Sequence, residues 1–209
     1  MMMTLLGERR AGETGIFLDL FKLRYDVFVQ RRQWSIPTRN GLDIDEYDTR
    51  QAIYFVERSD NGAIESHVRL NPTMGQSLLA DYFPHLVEID TPARGARIWE
   101  ATRCIVQPKN PTRARVAAAR ARLMVRMLQW AEMHGVEYIQ AVIGTHMLQH
   151  FVQMTEEIIP LGLSHVYGGG PDVPGVGQCM AIRWPVTEKT IADIAQFGRI
   201  GRSTAPCGR

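Results

Sequence analysis

Residues 101–131 include no acid, although seven basic residues stand among them. A solvated helix face usually interleaves acids with bases at i,i+4, so this absence points to an acidic partner outside the helix. Long apolar runs are missing as well. None approaches a membrane span, and the first six residues are too few for the apolar core of a signal peptide. Cysteine is sparse: Cys104, Cys179 and Cys207 lack CxxC spacing. That argues against a disulfide framework or a zinc site and fits a reducing cytoplasm. Internal repeats are absent, and nothing in 209 residues marks a second domain. We expect one cytoplasmic domain over 1–209 with no membrane contact, its Gly-, Ser- and Arg-rich tail loose from about residue 198.

What is present is ordinary in amount and uneven in placement. Hydrophobic residues make up 45% and charged residues 22%, as in a soluble globular protein. The net charge of +2 conceals an acidic stretch, 43–65, where seven acids face only Arg50 and Arg58.

Periodicity and turn signals predict a helix over 15–33, strands over 52–57 and 63–70, and a strand over 97–106. Asn61-Gly62 between the first two strands favours a tight hairpin turn, because both residues tolerate positive φ. Thr112 is placed to cap a long helix ending near His134, with Gly135 just beyond. A strand over 137–143, a short helix over 147–157, strands over 163–167 and 178–184 and a final helix over 187–197 complete the order. The glycine-rich segment 168–177 precedes a strand and reads as a connecting loop. The whole is an α/β fold, a three-layer sandwich on a mixed twisted sheet.

One position stands out on the first helix. At about 100° per residue, Phe17, Leu20, Phe21, Val27 and Phe28 fall within about 60° of Arg24, and Arg31 lies on the same side. A guanidinium at the centre of an apolar stripe needs a carboxylate, unless its stem snorkels to water. Asp43, Asp45, Glu46 and Asp48 follow just beyond Trp34. If that segment is extended, Asp43 and Asp45 point one way and Glu46 and Asp48 the other.

The series Leu23-Arg24, Phe28, Arg31, Trp34, Ile36 and Asp43-Ile44-Asp45-Glu46-Tyr47-Asp48 resembles the N-terminal signature of the acyl-homoserine-lactone synthases, the bacterial autoinducer synthases. That family usually carries Glu where this chain has Asp43, which reaches one methylene less far. Glu100-Ala101-Thr102-Arg103 is similar to a Glu-x-Ser/Thr-Arg run of the same family, and Arg69 and Phe83 match further positions. The likeness is strong from about residue 21 to 106. Past that point only the element order and the basic helix agree. The resemblance implies a fold like that of the GNAT N-acyltransferases.

It also implies two substrates, S-adenosylmethionine and an acyl thioester of acyl carrier protein or coenzyme A, with no resident cofactor. Glu100 would be the base for the methionine amine, directly or through a water, with Asp45, Arg24 and Arg103 in the catalytic group. Phe28, Trp34 and Phe83 would offer aromatic faces to the sulfonium, and Asp48 and Arg69 would complete the substrate site. Splayed strand amides would hold the oxyanion. Arg115, Arg122 and Arg126, within about 40° of one another on the basic helix, would meet the carrier protein, and free amides near Thr112 a phosphate. Some relatives that prefer 3-oxo chains have Thr near Ala141-Val142, which disfavours such a chain here.

Two other functions fit parts of the sequence. A GNAT acyltransferase using acyl-CoA and another amine explains the element order, and a nucleic-acid-binding module explains the basic helix. Neither accounts for the Arg24 stripe and its acids. His146 and His150 share a helix face at i,i+4, but the residues between them lack the Glu of a zinc-protease motif.

Overall fold

The computed structural model describes residues 1–89, 91, 93–167 and 177–203, without the side chains of 200–203. All but the last residue of the expected 168–177 loop lies outside this set. Over the described residues the chain builds one eight-stranded mixed sheet. Strand β1 (Met2–Leu6) leads to helix α1 (Thr14–Arg24), which continues as a π-helical stretch, Tyr25–Arg31. Then come β2 (Ile53–Arg58), β3 (Ile64–Pro72), the short α2 (Leu78–Tyr82), β4 (Ile98–Val106) and the long α3 (Arg113–Met133). Next follow β5 (Tyr138–Gly144), α4 (Leu148–Val152), β6 (Ile159–Pro160), β7 (His165–Tyr167), β8 (Gly177–Pro185) and α5 (Glu188–Ser203).

The strand order is β1-β2-β3-β4-β5-β8-β6, with β7 also on β8. Among the described residues only β4 and β5 run parallel, and their pairing covers just Ile98, Trp99 and Glu100 against Tyr138, Ile139 and Gln140. Beyond Glu100 the two strands part and leave a cleft. Alternation along β2 sends Phe55 into the core under α3 and α5, and Tyr54 and Val56 into the core under α1. With both faces covered, such strands read as unbroken apolar runs.

Several boundaries differ from expectation. The first residues form edge strand β1, paired antiparallel to β2. At the hairpin after β2 only Gly62 takes positive φ, +85°. The amides of Gly62 and Ser59 bond to Ser59 and Ala63 carbonyls, making a longer loop than a two-residue turn. Thr112 caps α3 as expected, its hydroxyl accepting from the Arg115 amide at 3.2 Å, and Gly135 sits at φ +69°.

The tail departs most. Gly198 lies inside α5, where a Cβ would come within 2.8 Å of the Ala121 methyl on α3. The glycine is therefore a close-packing point between two helices, a role that composition does not distinguish from looseness. We expect Gly198→Val to destabilise the protein by about 1–3 kcal/mol through overpacking, read as a lower urea midpoint. An unchanged midpoint would mean that the helices do not meet there.

Candidate active site

The site begins where α1 widens. From Tyr25 the helix becomes π-helical, a form common at functional sites. Arg24 remains fully buried, and Phe28 is buried one turn on. Each residue of the wider turn advances by less than 100°, so Arg31 is carried to the outside. It is exposed and pairs with Asp26 rather than sharing the face of Arg24.

Arg24 meets two carboxylates at once. Its Nε and Nη2 donate to Asp43 at 3.2 and 3.1 Å, and its Nη1 and Nη2 to Asp48 at 2.7 and 3.1 Å. Arg69, buried on β3, donates to both oxygens of Asp45, to Asp48 at 2.8 Å, and through Nε to the Thr102 hydroxyl at 3.0 Å. Arg103 completes the set, reaching Asp43 at 2.8 and 3.2 Å and Asp45 at 2.9 Å. Three guanidiniums thus share three carboxylates, so the charges balance locally and nearly every lone pair is used. The shorter Asp43 still reaches both Arg24 and Arg103.

The acidic segment is not extended. The Asp48 amide bonds to the Asp45 carbonyl at 3.1 Å and the Asp45 amide to the Asp48 carboxylate at 2.9 Å. This turn brings Asp48 to the same side as Asp43 and Asp45, and leaves Glu46 exposed, accepting from the Tyr82 hydroxyl.

Arg103 joins for a reason that strand alternation hides. Regular pleating would turn it with Trp99 and Ala101 toward α3. Instead, two residues of β4 stand opposite Val68 alone, between the pairs Arg69–Thr102 and His67–Ile105. Arg103 sits at φ +54° in this bulge. The extra residue reverses the facing and carries Arg103 to the side of Thr102 and Arg69.

Glu100 is also buried on this face. Its oxygens accept the Leu78 and Leu79 amides at 2.7 and 2.8 Å, so it closes the N-terminus of α2. Burial raises its pKa above the ordinary carboxylate value, outweighing those two amides. Phe83 ends the same short helix and packs with Leu79 and Leu86. It stands apart from Phe28 and Trp34, which stack at 4.8 Å. That stack already attracts cations: Arg103 and Arg32 lie 5.4 and 5.2 Å from the Phe28 ring centre.

Charge coupling explains the titration of the network. Burial lowers the pKa of Arg24, yet Asp48 and Asp43 reverse this and raise it overall. Burial raises Asp48 and Asp43, but Arg69 and Arg24 hold Asp48, and Arg24 with Arg103 hold Asp43, below the usual carboxylate range. Unfolded aspartates titrate near about 3.9. Their stabilising contribution is therefore complete above that pH and is lost as pH falls through the folded values. We expect the melting temperature to fall steeply below about pH 4 and the slope to lessen in Asp43→Asn. An unaltered slope would separate Asp43 from acid unfolding.

Sequence reading missed Tyr54 and His67. The Tyr54 hydroxyl donates to Asp48 at 3.0 Å. His67, fully buried, stacks on Tyr54 at 6.0 Å and is held neutral by burial and by Arg24 and Arg69. The available signal was alternation, which places His67, Arg69 and Asn71 on one face of β3.

The basic helix differs from expectation too. Arg122 pairs with Glu57 of β2 at 2.8 Å, and Arg126 donates to the Thr4 hydroxyl of β1 at 3.3 Å. The missing acid of α3 is supplied by the neighbouring strand. Arg115 remains exposed, bonded to the Lys109 carbonyl at 3.1 Å. Behind Arg103, between the parted β4 and β5 and under α3, lies a largely apolar cavity of about 250 Å3. Leu123, Met124, Met127, Ala141, Phe151 and Trp184 form its inner walls.

A mixed sheet whose two parallel central strands splay over a cleft defines an N-acyltransferase fold. An acyl-CoA N-acyltransferase from Pseudomonas aeruginosa superposes with a TM-score of 0.57 at 13% identity, over 88% of this chain and 98% of that one. Residues 10–154 match the autoinducer synthase family model, and the chain belongs to that family. Isovaleryl-homoserine lactone synthase of Bradyrhizobium diazoefficiens is 29% identical over 144 residues, 68% of this chain and 64% of that protein, so the match spans less than two thirds of that relative. The solved CoA-dependent acyl-homoserine lactone synthase MesI gives a TM-score of 0.76 at 26% identity, covering 94% of each chain.

Proposed function

We propose that this protein is an acyl-homoserine-lactone synthase. It acylates the amine of S-adenosylmethionine from an acyl thioester, then closes the lactone with release of methylthioadenosine, forming a quorum-sensing signal. The observation that supports this most is the closed network of Arg24, Arg69 and Arg103 with three aspartates, set beside Glu100 at the point where β4 and β5 part.

The chemistry follows from the positions. A free α-amine has a pKa of about 7.7–8.0, so at neutral pH it must shed a proton before attacking a thioester carbonyl. Glu100 takes that proton, directly or through one water; burial raises its pKa and makes it a stronger base than an exposed carboxylate. Amides of β4 facing the cleft hold the oxyanion of the tetrahedral intermediate, and the thiolate leaves. The substrate carboxylate then attacks its own γ-carbon. The C–S bond breaks, and because the sulfur starts as a sulfonium it departs as a neutral thioether without acid help.

The Phe28–Trp34 stack presents an aromatic face to that sulfonium in place of the exposed Arg32. Arg103 is the network cation nearest solvent for the substrate carboxylate. The acyl group enters the apolar cavity, whose apolar Ala141 and Val142 offer no side-chain donor to a 3-oxo oxygen. Coenzyme A is the favoured carrier of that group: Arg122 and Arg126 are engaged by the sheet edge, and the solved relative MesI is CoA-dependent.

Mass spectrometry of extracts from a host expressing the chain should show the homoserine-lactone fragment, with methylthioadenosine formed by purified protein. Absence of both with a panel of acyl thioesters would overturn the assignment.

A further inference from the structure

Strand β3 carries a buried acceptor that the reaction above does not use. Asn71 is 4% exposed, and its Nδ2 donates to the Tyr47 carbonyl at 2.7 Å. That carbonyl can only accept, so it fixes the nitrogen there and turns Oδ1 the other way. Oδ1 is buried and has no donor among the described residues. A buried acceptor without a donor destabilises the fold, and a donor supplied in the course of the reaction would remove that cost.

The place of Asn71 says which donor. In the antiparallel pairing of β3 with β4, Asn71 stands directly opposite Glu100. Their side chains therefore share a face, with Cβ atoms about 4.5–5.5 Å apart. On its other side Glu100 is paired with Gln140 of β5. That amide is fully engaged: its Nε2 donates to the Ala93 carbonyl at 2.8 Å, and its Oε1 accepts from Arg183 at 2.8 Å. The Leu78 and Leu79 amides serve the carboxylate and offer nothing to the proton of a carboxylic acid. His67 Nε2, also buried and unpaired on β3 among the described residues, is too far, about 13 Å along the strand.

The other groups facing this corner come from four elements. Arg69 of β3 and Ser77 of α2 favour the Glu100 carboxylate. Tyr47, on the acidic turn, stays protonated: burial raises its pKa, and Glu46, Asp81, Tyr82 and Glu100 raise it further. Arg183 of β8 stands behind Gln140.

We propose that Asn71 Oδ1 accepts the hydrogen bond of protonated Glu100, which makes Asn71 a positioning residue for the proton in transit. The proposal rests on the acyl-transfer reading, in which Glu100 is the base. The substrate nitrogen loses a proton to a Glu100 oxygen, and the new O–H donates to Oδ1. When the C–S bond of the tetrahedral intermediate breaks, that proton passes to the thiolate sulfur and the carboxylate is restored. The second proton lost between ammonium and amide goes to water. Oδ1 is an unfavourable neighbour for the carboxylate and a partner for the acid, so both effects favour the protonated form. Burial of Glu100 acts in the same direction.

The test reads both side chains directly, by carbon NMR of protein isotopically labelled at the glutamate and asparagine side-chain carbonyls. Loss of one signal in Glu100→Gln and of one in Asn71→Asp assigns them. In the unmutated protein the Asn71 carbon should shift with pH at the same midpoint as the Glu100 carboxyl. Asn71→Leu, which lacks the acceptor, should lower that midpoint by about one pH unit. Asn71→Asp, which adds a like charge, should raise it. The acid limb of kcat/KM should move with the midpoint. A residue that only fastens the Tyr47 carbonyl would change rate or stability and leave that limb in place.

An Asn71 carbon indifferent to the Glu100 titration, or a midpoint unmoved in Asn71→Leu, overturns the proposal. The first is read on wild-type protein, so it decides the matter even if Asn71→Leu does not fold. Should no donor give methylthioadenosine, the acyl-transfer reading fails, and the two carbons still show whether Asn71 partners Glu100. Product formed by a protein whose two carbons titrate independently removes Asn71 and leaves that reading intact.

Discussion

Arg24→Ala should destabilise the protein by about 3–5 kcal/mol, enough to unfold much of a marginally stable domain at 37 °C. The reason is what remains. Asp43 and Asp48 are buried and would lose four hydrogen bonds from one guanidinium. Their other partners, Arg103 and Arg69, would be left sharing the charge of three carboxylates. Pairing Arg24→Ala with Asp43→Asn should recover part of the loss, because one stranded charge is removed and the two sites are coupled. Arg24→Lys should fall between, since an ammonium keeps the charge and loses the fork. The measurement is the urea midpoint of each protein. A wild-type midpoint in Arg24→Ala would show that the network contributes nothing to the fold.

Glu100→Gln should lower kcat by about a hundredfold or more, the usual range for a lost general base. S-adenosylmethionine binding should be nearly unchanged. The variant has a second, smaller cost. Both oxygens of Glu100 receive amides of α2, and a glutamine must turn its NH2 group toward one of them. Melting temperature therefore accompanies the kinetics: a modest drop in stability with a large drop in kcat fits a base that also caps α2. A large loss of stability with residual kcat in proportion would make Glu100 a structural cap alone. Wild-type turnover would remove it from the chemistry entirely.

Much of the fold was legible because its signals are local. Thr112 and Gly135 bound α3 as expected, since capping depends on a few adjacent residues. The central strands lie within a residue or two of the expected ranges. Arg24 was legible for a related reason: a charged residue centred in an apolar stripe must be buried with partners or escape to water, and its acids lay close in sequence.

Other features depend on neighbours that sequence spacing does not reveal. The π-helical turn moves Arg31 outward, and the β4 bulge turns Arg103 inward. Each shifts a residue by a fraction of one turn or one pleat, which a fixed period of 3.6 or 2 cannot register. The turn from Asp45 to Asp48 likewise gathers acids that an extended segment would separate. Across longer distances, Glu57 on β2 neutralises Arg122, and Ala121 makes Gly198 a packing point.

Sequence alone determined that Arg24 needed carboxylates if it was to stay in its apolar stripe, and roughly where the helices and strands begin. Tertiary structure decided which cations remained free. Arg122 and Arg103 found carboxylates brought up by other strands and loops, while Arg120 faces a cavity without one. Whether a charge is paired is a property of distances across the fold, and those are fixed only once the sheet and its helices pack.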